Sequence, residues 1–290
     1  MTAFSAEWLQ LREGADQAAR NSEIANAVSA RFALRDAISV VDLGCGTGSM
    51  LRWLAPQLDS AQHWVMYDRD DDLLAEVEAR NVVLGAHAAA VTIEVRPRDI
   101  TRLEPDDLGT ASLVTASALL DMFTADELDR FVTSCARAQC PVLLTLSVVG
   151  HAELSPADEL DEAFQQAFNA HQRRITDGRQ LLGPDAASMA GAAFTALGAD
   201  VTVSSSPWHL GPDERALTAA WLEGWVGAAV EQELADAGEV QRCHRERRVP
   251  ECVPGAVAHP RPPGVGDAQR PEELVACVLL QVATDRGFDH

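Results

Sequence analysis

The sequence predicts an α/β protein, doubly wound around a mostly parallel sheet. Three observations predict it: short apolar, β-branched runs alternate with longer segments of helical period, the first run ends in a glycine-rich turn that opens a helix, and successive runs finish on an acid. Strands buried on both faces read as continuous apolar runs, and helical crossovers must separate them if they lie parallel.

Residues 7–33 carry Trp8, Leu11, Ala15, Ala18, Ile24, Val28 and Phe32 at helical spacing, which predicts two short amphipathic helices before the sheet begins. The alternation then runs strand 38–43, helix 49–58, strand 63–67, helix 71–79, strand 91–95, strand 111–116, helix 125–135 and strand 142–149. An additional helix is expected within 155–174, where Leu160, Ala163, Phe164, Ala167 and Phe168 share a face after a Ser-Pro start. A helix over 184–197 should stop at Gly198 and lead into an alternating strand at 200–204. The expected organisation is a helical cap over 1–34, a main domain over 35–238 with a lid insertion at about 150–182, and an irregular Pro/Arg-rich tail over 239–290. Within that tail only 274–283 regains core character.

Charge and composition exclude several chemistries. The 290 residues carry a formal charge of −21, which would repel phosphate backbones, so nucleic acid is an unexpected partner. Every cation is an arginine, which removes Schiff-base and P-loop lysine chemistry. No apolar run reaches membrane-spanning length, and the N-terminal residues have no secretory pattern, so a cytoplasmic location is expected. The six cysteines form no dense framework and are expected as free thiols. Cys243, His244, Cys252 and His259 lack a C-x-x-C pair and lie among prolines, so no metal is expected.

Chemistry concentrates at Asp42-Leu43-Gly44-Cys45-Gly46-Thr47-Gly48-Ser49, where a buried strand turns into a helix. Glycines there permit positive φ and close backbone approach to a ligand. The spacing is G-x-G-x-G rather than the G-x-G-x-x-G of a dinucleotide site, which weakens a nicotinamide reading. Asp42 at the strand end would repel a pyrophosphate and favour the α-amino cation of an amino-acid-bearing cofactor. Asp68 ends the second strand, where a carboxylate beside the glycine turn accepts hydrogen bonds from ribose hydroxyls. Asp99 follows the third, placed for an adenine amine, with Ile100 packing on the ring.

On these residues the chain resembles class I S-adenosylmethionine-dependent methyltransferases over about residues 35–205. The segments starting at Trp8, Arg179 and Ser206 are also similar to a group of uncharacterised actinobacterial methyltransferases of small-molecule type. The resemblance implies a Rossmann-like methyltransferase fold with a seven-stranded sheet, S-adenosyl-L-methionine as cofactor and a small-molecule methyl acceptor. It implies that Gly44, Gly46 and Gly48 shape the methionine pocket, that Asp68 holds ribose, and that Asp99 and Ile100 hold adenine. Cys45 in the turn, Arg69 beside Asp68, and Ser117 after the fourth strand complete the candidate cofactor set with Asp42. The family sheet closes with an antiparallel seventh strand, which should pair with 200–204; 274–283 is the one candidate, and the long Pro/Arg stretch before it leaves that closure open.

For the proton that some acceptors must lose, Asp121 after the fourth strand is the first candidate base and His151 after the fifth the second. Asp121 reads equally well as a cap before Thr124, and His151 reads more readily as a surface histidine than as a base. The rival of another class is a catalytically inactive protein that keeps the fold and works through a protein partner.

Overall fold

The computed structural model describes residues 5–80, 89–176, 178–232 and 276–281. Helices α1 (Ala6–Ala19) and α2 (Ser22–Phe32) come first, as the apolar spacing predicts. Ser5 and Asn21 cap them, each side chain accepting from the backbone N–H three residues on (Trp8 and Ile24). Then follow β1 (Ala37–Leu43), α3 (Ser49–Leu54), β2 (Ala61–Asp68), α4 (Asp71–Arg80), β3 (Val91–Pro97), α5 (Pro105–Leu108), β4 (Leu113–Ser117), α6 (Ala125–Ala138) and β5 (Val142–Ser147). Beyond β5 lie α7 (Asp161–Gln172), a two-stranded hairpin of β6 (Ile175–Thr176) and β7 (Arg179–Gln180), α8 (Ala186–Ala196), β8 (Asp200–Ser205), α9 (Arg215–Glu231) and β9 (Ala276–Gln281).

The main sheet runs β3-β2-β1-β4-β5-β9-β8. The first five strands are parallel, while β9 is antiparallel to both β5 and β8. Thus β9 takes the place left open for a seventh strand, with Asp200 opposite Gln281 and Ser205 opposite Ala276. The rest of the expected tail, including the segment of Cys243, Cys252 and His259, lies outside the described residues. Strand order reverses between β1 and β4, and in open α/β sheets such a switch point leaves a crevice beyond the strands' carboxyl ends.

Residue alternation divides the core into two layers. Val41, Leu43, Val65, Tyr67, Val114, Ala116, Val142 and Leu144 face α6 and α8, against Phe131, Val132, Ala190 and Phe194. Ile38, Val40, Trp64, Met66, Leu113 and Leu143 face α2, α3 and α4, against Val28, Leu51, Leu54 and Val77. A period-two strand between two apolar helix stripes gives this arrangement. A third cluster joins α7 to α9, where Phe164, Trp225 and Trp221 stack in sequence.

Several boundaries depart from expectation. Helix α3 stops at Leu54 and tightens into a 3₁₀ turn over Ala55–Gln57, because Pro56 brings no N–H to an α-helical ladder. Helix α7 starts at Asp161 rather than near 155, and the residues around Pro156 are irregular. Strand β5 ends at Ser147, where the register against β9 shifts and Leu146 takes φ +58°. Among the described residues, no helix is long and apolar enough to cross a membrane. No metal-ligating cluster occurs among them, and Cys45, Cys135 and Cys140 are buried free thiols.

Candidate functional site

A crevice opens at the switch point, lined by the ends of β1, β2 and β4, by the turn after β3, and by α1. Its floor is the turn Gly44-Cys45-Gly46-Thr47-Gly48. All three glycines have positive φ (+66°, +54° and +86°), a region costly for residues bearing a Cβ. A Cβ on Gly44 would lie 3.1 Å from Leu119 and 3.3 Å from Ile100, and one on Gly46 would lie 3.1 Å from Leu9 of α1. The turn is held by Cys45 N–H donating to Tyr67 O and Gly48 N–H donating to Cys45 O, each at 2.9 Å. Gly48 then caps α3.

Three acids line the crevice, Asp42 from β1, Asp68 from the end of β2 and Asp99 from the turn after β3. Asp42, almost wholly buried, accepts from Thr115 Oγ1 through Oδ1 at 2.6 Å, while its Oδ2 has no hydrogen-bond partner. Burial pushes its carboxyl up to about 7, against the opposing influence of Thr115 and of the Arg20 charge. Asp68 accepts from Gly46 N–H at 2.9 Å and from Asp70 N–H at 3.1 Å. A carboxylate offers about four lone-pair positions, so two acceptor positions remain for a ligand. Asp99 accepts from Thr101 N–H and Oγ1 at 3.1 and 2.8 Å. Burial raises its carboxyl, but the Thr101 bonds and the charges of Arg102 and Arg69 leave it below its ordinary value. Burial also drives the Cys45 thiol well above its usual range, with Asp42 and Asp68 adding to the rise, so it stays a neutral wall atom.

Of the ten expected cofactor residues, Asp42, Gly44, Cys45, Gly46, Asp68, Arg69, Asp99, Ile100 and Ser117 line the crevice. Gly48 is not part of its wall and acts as the turn's last hinge. The two candidate bases are placed differently. Asp121 immediately precedes Met122 and Phe123, which line the crevice; its Oδ1 is sealed from solvent with no partner. Burial pushes its carboxyl to about 6, with the Arg12 charge opposing. The structure does not bring His151 to the crevice: its half-exposed ring faces Glu153 at 3.7 Å.

Helix α1 supplies side chains that the sequence reading did not place here: Leu9, Arg12, Asp16 and Arg20 all line the crevice. Arg12 pairs in bidentate fashion with Asp16 at 2.9 and 3.1 Å and stacks over Trp208, whose Nε1 donates to Asp16 at 3.0 Å. Glu13 anchors the helix from its other side to Arg52 of α3, at 2.6 and 2.8 Å. Arg179 of β7 also lines the crevice, donating to Met122 O at 3.0 Å and to both oxygens of Glu127 at 3.1 and 2.6 Å. Residues of the segments starting at Trp8 and Arg179 line the crevice, and Trp208 of the third segment packs on Arg12 and Asp16; the resemblance of these three segments was the signal the sequence offered for these residues.

Residues 40–141 match the family model described as a methyltransferase domain. No curated protein matches the chain. Among solved structures, the cyclopropane synthase MmaA2 from Mycobacterium tuberculosis is similar over 84% of this chain and 87% of that one, at 15% identity and a TM-score of 0.49. Mycolic acid cyclopropane synthase CmaA1, complexed with SAH and CTAB, is similar over 89% of this chain and 82% of that one, at 16% identity and a TM-score of 0.46. Magnesium protoporphyrin IX methyltransferase from Synechocystis PCC 6803, with bound SAH, is similar over 71% of this chain and 84% of that one, at 11% identity and a TM-score of 0.41.

Proposed function

We propose that this chain, whose residues 40–141 match a methyltransferase-domain family model, is a class I S-adenosylmethionine-dependent methyltransferase that transfers the cofactor's methyl group to a small-molecule acceptor. The observation that carries the reading is the convergence of Asp42, Asp68 and Asp99 on one glycine-floored crevice. The residues fit the cofactor. Asp68 has acceptor positions left for ribose hydroxyls, Ile100 and Leu119 form an apolar wall beside Gly44, and the partnerless oxygen of Asp42 suits an ammonium group.

When bound, S-adenosylmethionine supplies an activated sulfonium methyl, open to in-line attack by the acceptor. The protein's own work is then alignment and exclusion of water, which lower the barrier by holding the reactants in an attacking geometry. Asp68 and Asp99 fix the nucleoside end, the glycine turn lets the backbone approach, and Asp42 fixes the amino group. The acceptor enters along the wall formed by Leu9, Arg12, Met122, Phe123 and Arg179. Where it must lose a proton, the candidate base is Asp121, which stands next to the wall residue Met122 behind the crevice and whose carboxyl burial raises to about 6.

A small acceptor in the cytoplasm is the reading we favour over nucleic acid, because a chain at −21 lacks the cationic footprint that binds phosphate backbones. The test is transfer of label from methyl-labelled S-adenosylmethionine into a fractionated metabolite extract, with bulk RNA in a parallel reaction. Label should appear in a low-mass fraction and depend on Asp68. Label confined to RNA would overturn the acceptor class, and tight cofactor binding with no transfer to either would favour an inactive protein acting through a partner.

A further inference from the structure

One face of α1 walls the acceptor side of the crevice, because Leu9, Arg12 and Asp16 stand three and four residues apart and so lie above one another on the helix. Arg12 is fixed there from two directions. Its Nε and Nη2 donate to the two oxygens of Asp16 at 2.9 and 3.1 Å, and its guanidinium lies 4.9 Å from the centre of the Trp208 ring. Trp208 Nε1 also donates to Asp16 at 3.0 Å, so cation, acid and ring form one unit joining α1 to the segment after β8. A guanidinium has five N–H donors, and this side-on pairing uses two. The end-on edge, one N–H from Nη1 and one from Nη2, makes no hydrogen bond to another described residue. The Arg12 side chain is 14% exposed and that of Asp16 8%, so the more open member of the pair is the cation. The Arg12 charge also acts on Asp121, which places it within electrostatic reach of the wall of Met122 and Phe123.

We propose that Arg12 is the specificity-determining residue of the acceptor side, and that the acceptor is a small molecule with an apolar body and one carboxylate. The carboxylate sits on the end-on edge of Arg12, and the body lies on Leu9, Met122 and Phe123. This rests on the proposed methyltransferase reading and names its acceptor class. A planar edge with two parallel N–H donors matches a carboxylate in bidentate fashion. Asp16 and Asp121 act on the same cation, so one negative charge is accommodated where a phosphate dianion would be repelled. Asp16 and Trp208 are positioning residues: they hold the guanidinium before the acceptor arrives, which leaves little side-chain freedom to lose on binding. The carboxylate is a handle and not the attacking group, because two charge-assisted hydrogen bonds engage its lone pairs. The methylated product therefore keeps its negative charge.

The test uses the full-length protein, methyl-labelled S-adenosylmethionine and a metabolite extract split at neutral pH on a strong anion exchanger, the retained fraction being offered before and after phosphatase treatment. Label should enter the retained fraction, survive the phosphatase, and stay on the exchanger after transfer. Arg12→Met should raise half-saturation, measured against dilution of the retained fraction, by about ten- to a hundred-fold, the worth of a charged hydrogen bond, with the plateau rate nearly unchanged. Arg12→Lys should recover part of this, and Asp16→Asn should fall between wild type and Arg12→Met. S-adenosylhomocysteine binding by calorimetry should stay within about threefold in all three variants, which also reports that they are folded. Transfer into the unretained fraction, transfer abolished by phosphatase, or a neutral labelled product would overturn the proposal. Unchanged half-saturation in Arg12→Met would do so too. A loss of S-adenosylhomocysteine binding equal to the loss of transfer would make the unit of Arg12, Asp16 and Trp208 structural, and would also overturn it. No S-adenosylhomocysteine binding to the wild type, or binding without transfer into any fraction, would instead remove the methyltransferase reading beneath the proposal.

Discussion

Thr115 Oγ1 donates to Asp42 Oδ1 at 2.6 Å, and the second oxygen of that carboxylate stays buried with no partner. Burial holds the group at about 7 in the folded protein, against an ordinary value of 3.8. The folded state therefore binds a proton that the unfolded chain has already released, so stability contributed by this residue is present below about pH 4 and falls as pH rises to about 7. Asp42→Asn should raise the melting stability of the ligand-free protein at pH 8 by about 1–3 kcal/mol, with little gain at pH 4. Thermal melts across this range check the sign. Because the ammonium requires the ionised form, S-adenosylhomocysteine affinity should rise about tenfold from pH 6 to pH 8, while methylthioadenosine affinity stays flat.

Gly46→Ala should destabilise by about 1–2 kcal/mol through its φ of +54°, and its Cβ would also press on Leu9. Leu9→Ala in the same chain should relieve the contact without restoring the backbone cost. Denaturant unfolding of the single and double variants, with cofactor titrations alongside, separates the two contributions.

Asp121→Asn should lower methyl transfer about 10²- to 10⁴-fold to an acceptor that must lose a proton, and leave S-adenosylhomocysteine binding nearly unchanged. The wild-type turnover should rise with pH through about 6, following the raised carboxyl, and the step should vanish in the variant. His151→Ala should leave both unaffected, since its ring faces Glu153 outside the crevice. Single-turnover rates against pH decide between the two residues.

Phe131 is fully buried, with its ring 5.3 Å from that of Phe123 on the crevice wall. Phe131→Ala should cost about 3–5 kcal/mol of stability through the cavity it leaves. Under conditions where the variant stays folded, S-adenosylhomocysteine affinity should be kept, because Phe123 lies on the acceptor side. Chemical denaturation and calorimetry on the same preparation measure both.

The first five strands were legible because each is an apolar run bounded by turn residues, and the three acids because residues at or just past the carboxyl ends of parallel strands lie on the crevice side of the sheet. The G-x-G-x-G turn was legible since three positive φ angles in five residues leave glycine as the one easy solution. Helix α1 was read as an amphipathic element, and that pattern assigns charged residues to solvent. Arg12, Asp16 and Arg20 are instead turned inward, satisfied by partners such as Trp208, 192 residues from Asp16, and Ser117, 97 residues from Arg20. No local period encodes such distant pairings. His151 failed for the converse reason: closeness in sequence to the end of β5 says nothing about which way the following loop turns. The antiparallel β9 was foreseeable only through the resemblance, which pairs the family's seventh strand with 200–204 and leaves 274–283 as the candidate, and the structure makes that pairing with β8.

The account stands on the nucleoside being held at Asp68, and isothermal titration of S-adenosylhomocysteine into the wild-type protein and Asp68→Ala tests it most directly. Saturable one-to-one binding to the wild type, lost in the variant while its melting profile is retained, is the predicted result. Equal binding to both proteins, or no heat with either, would contradict it.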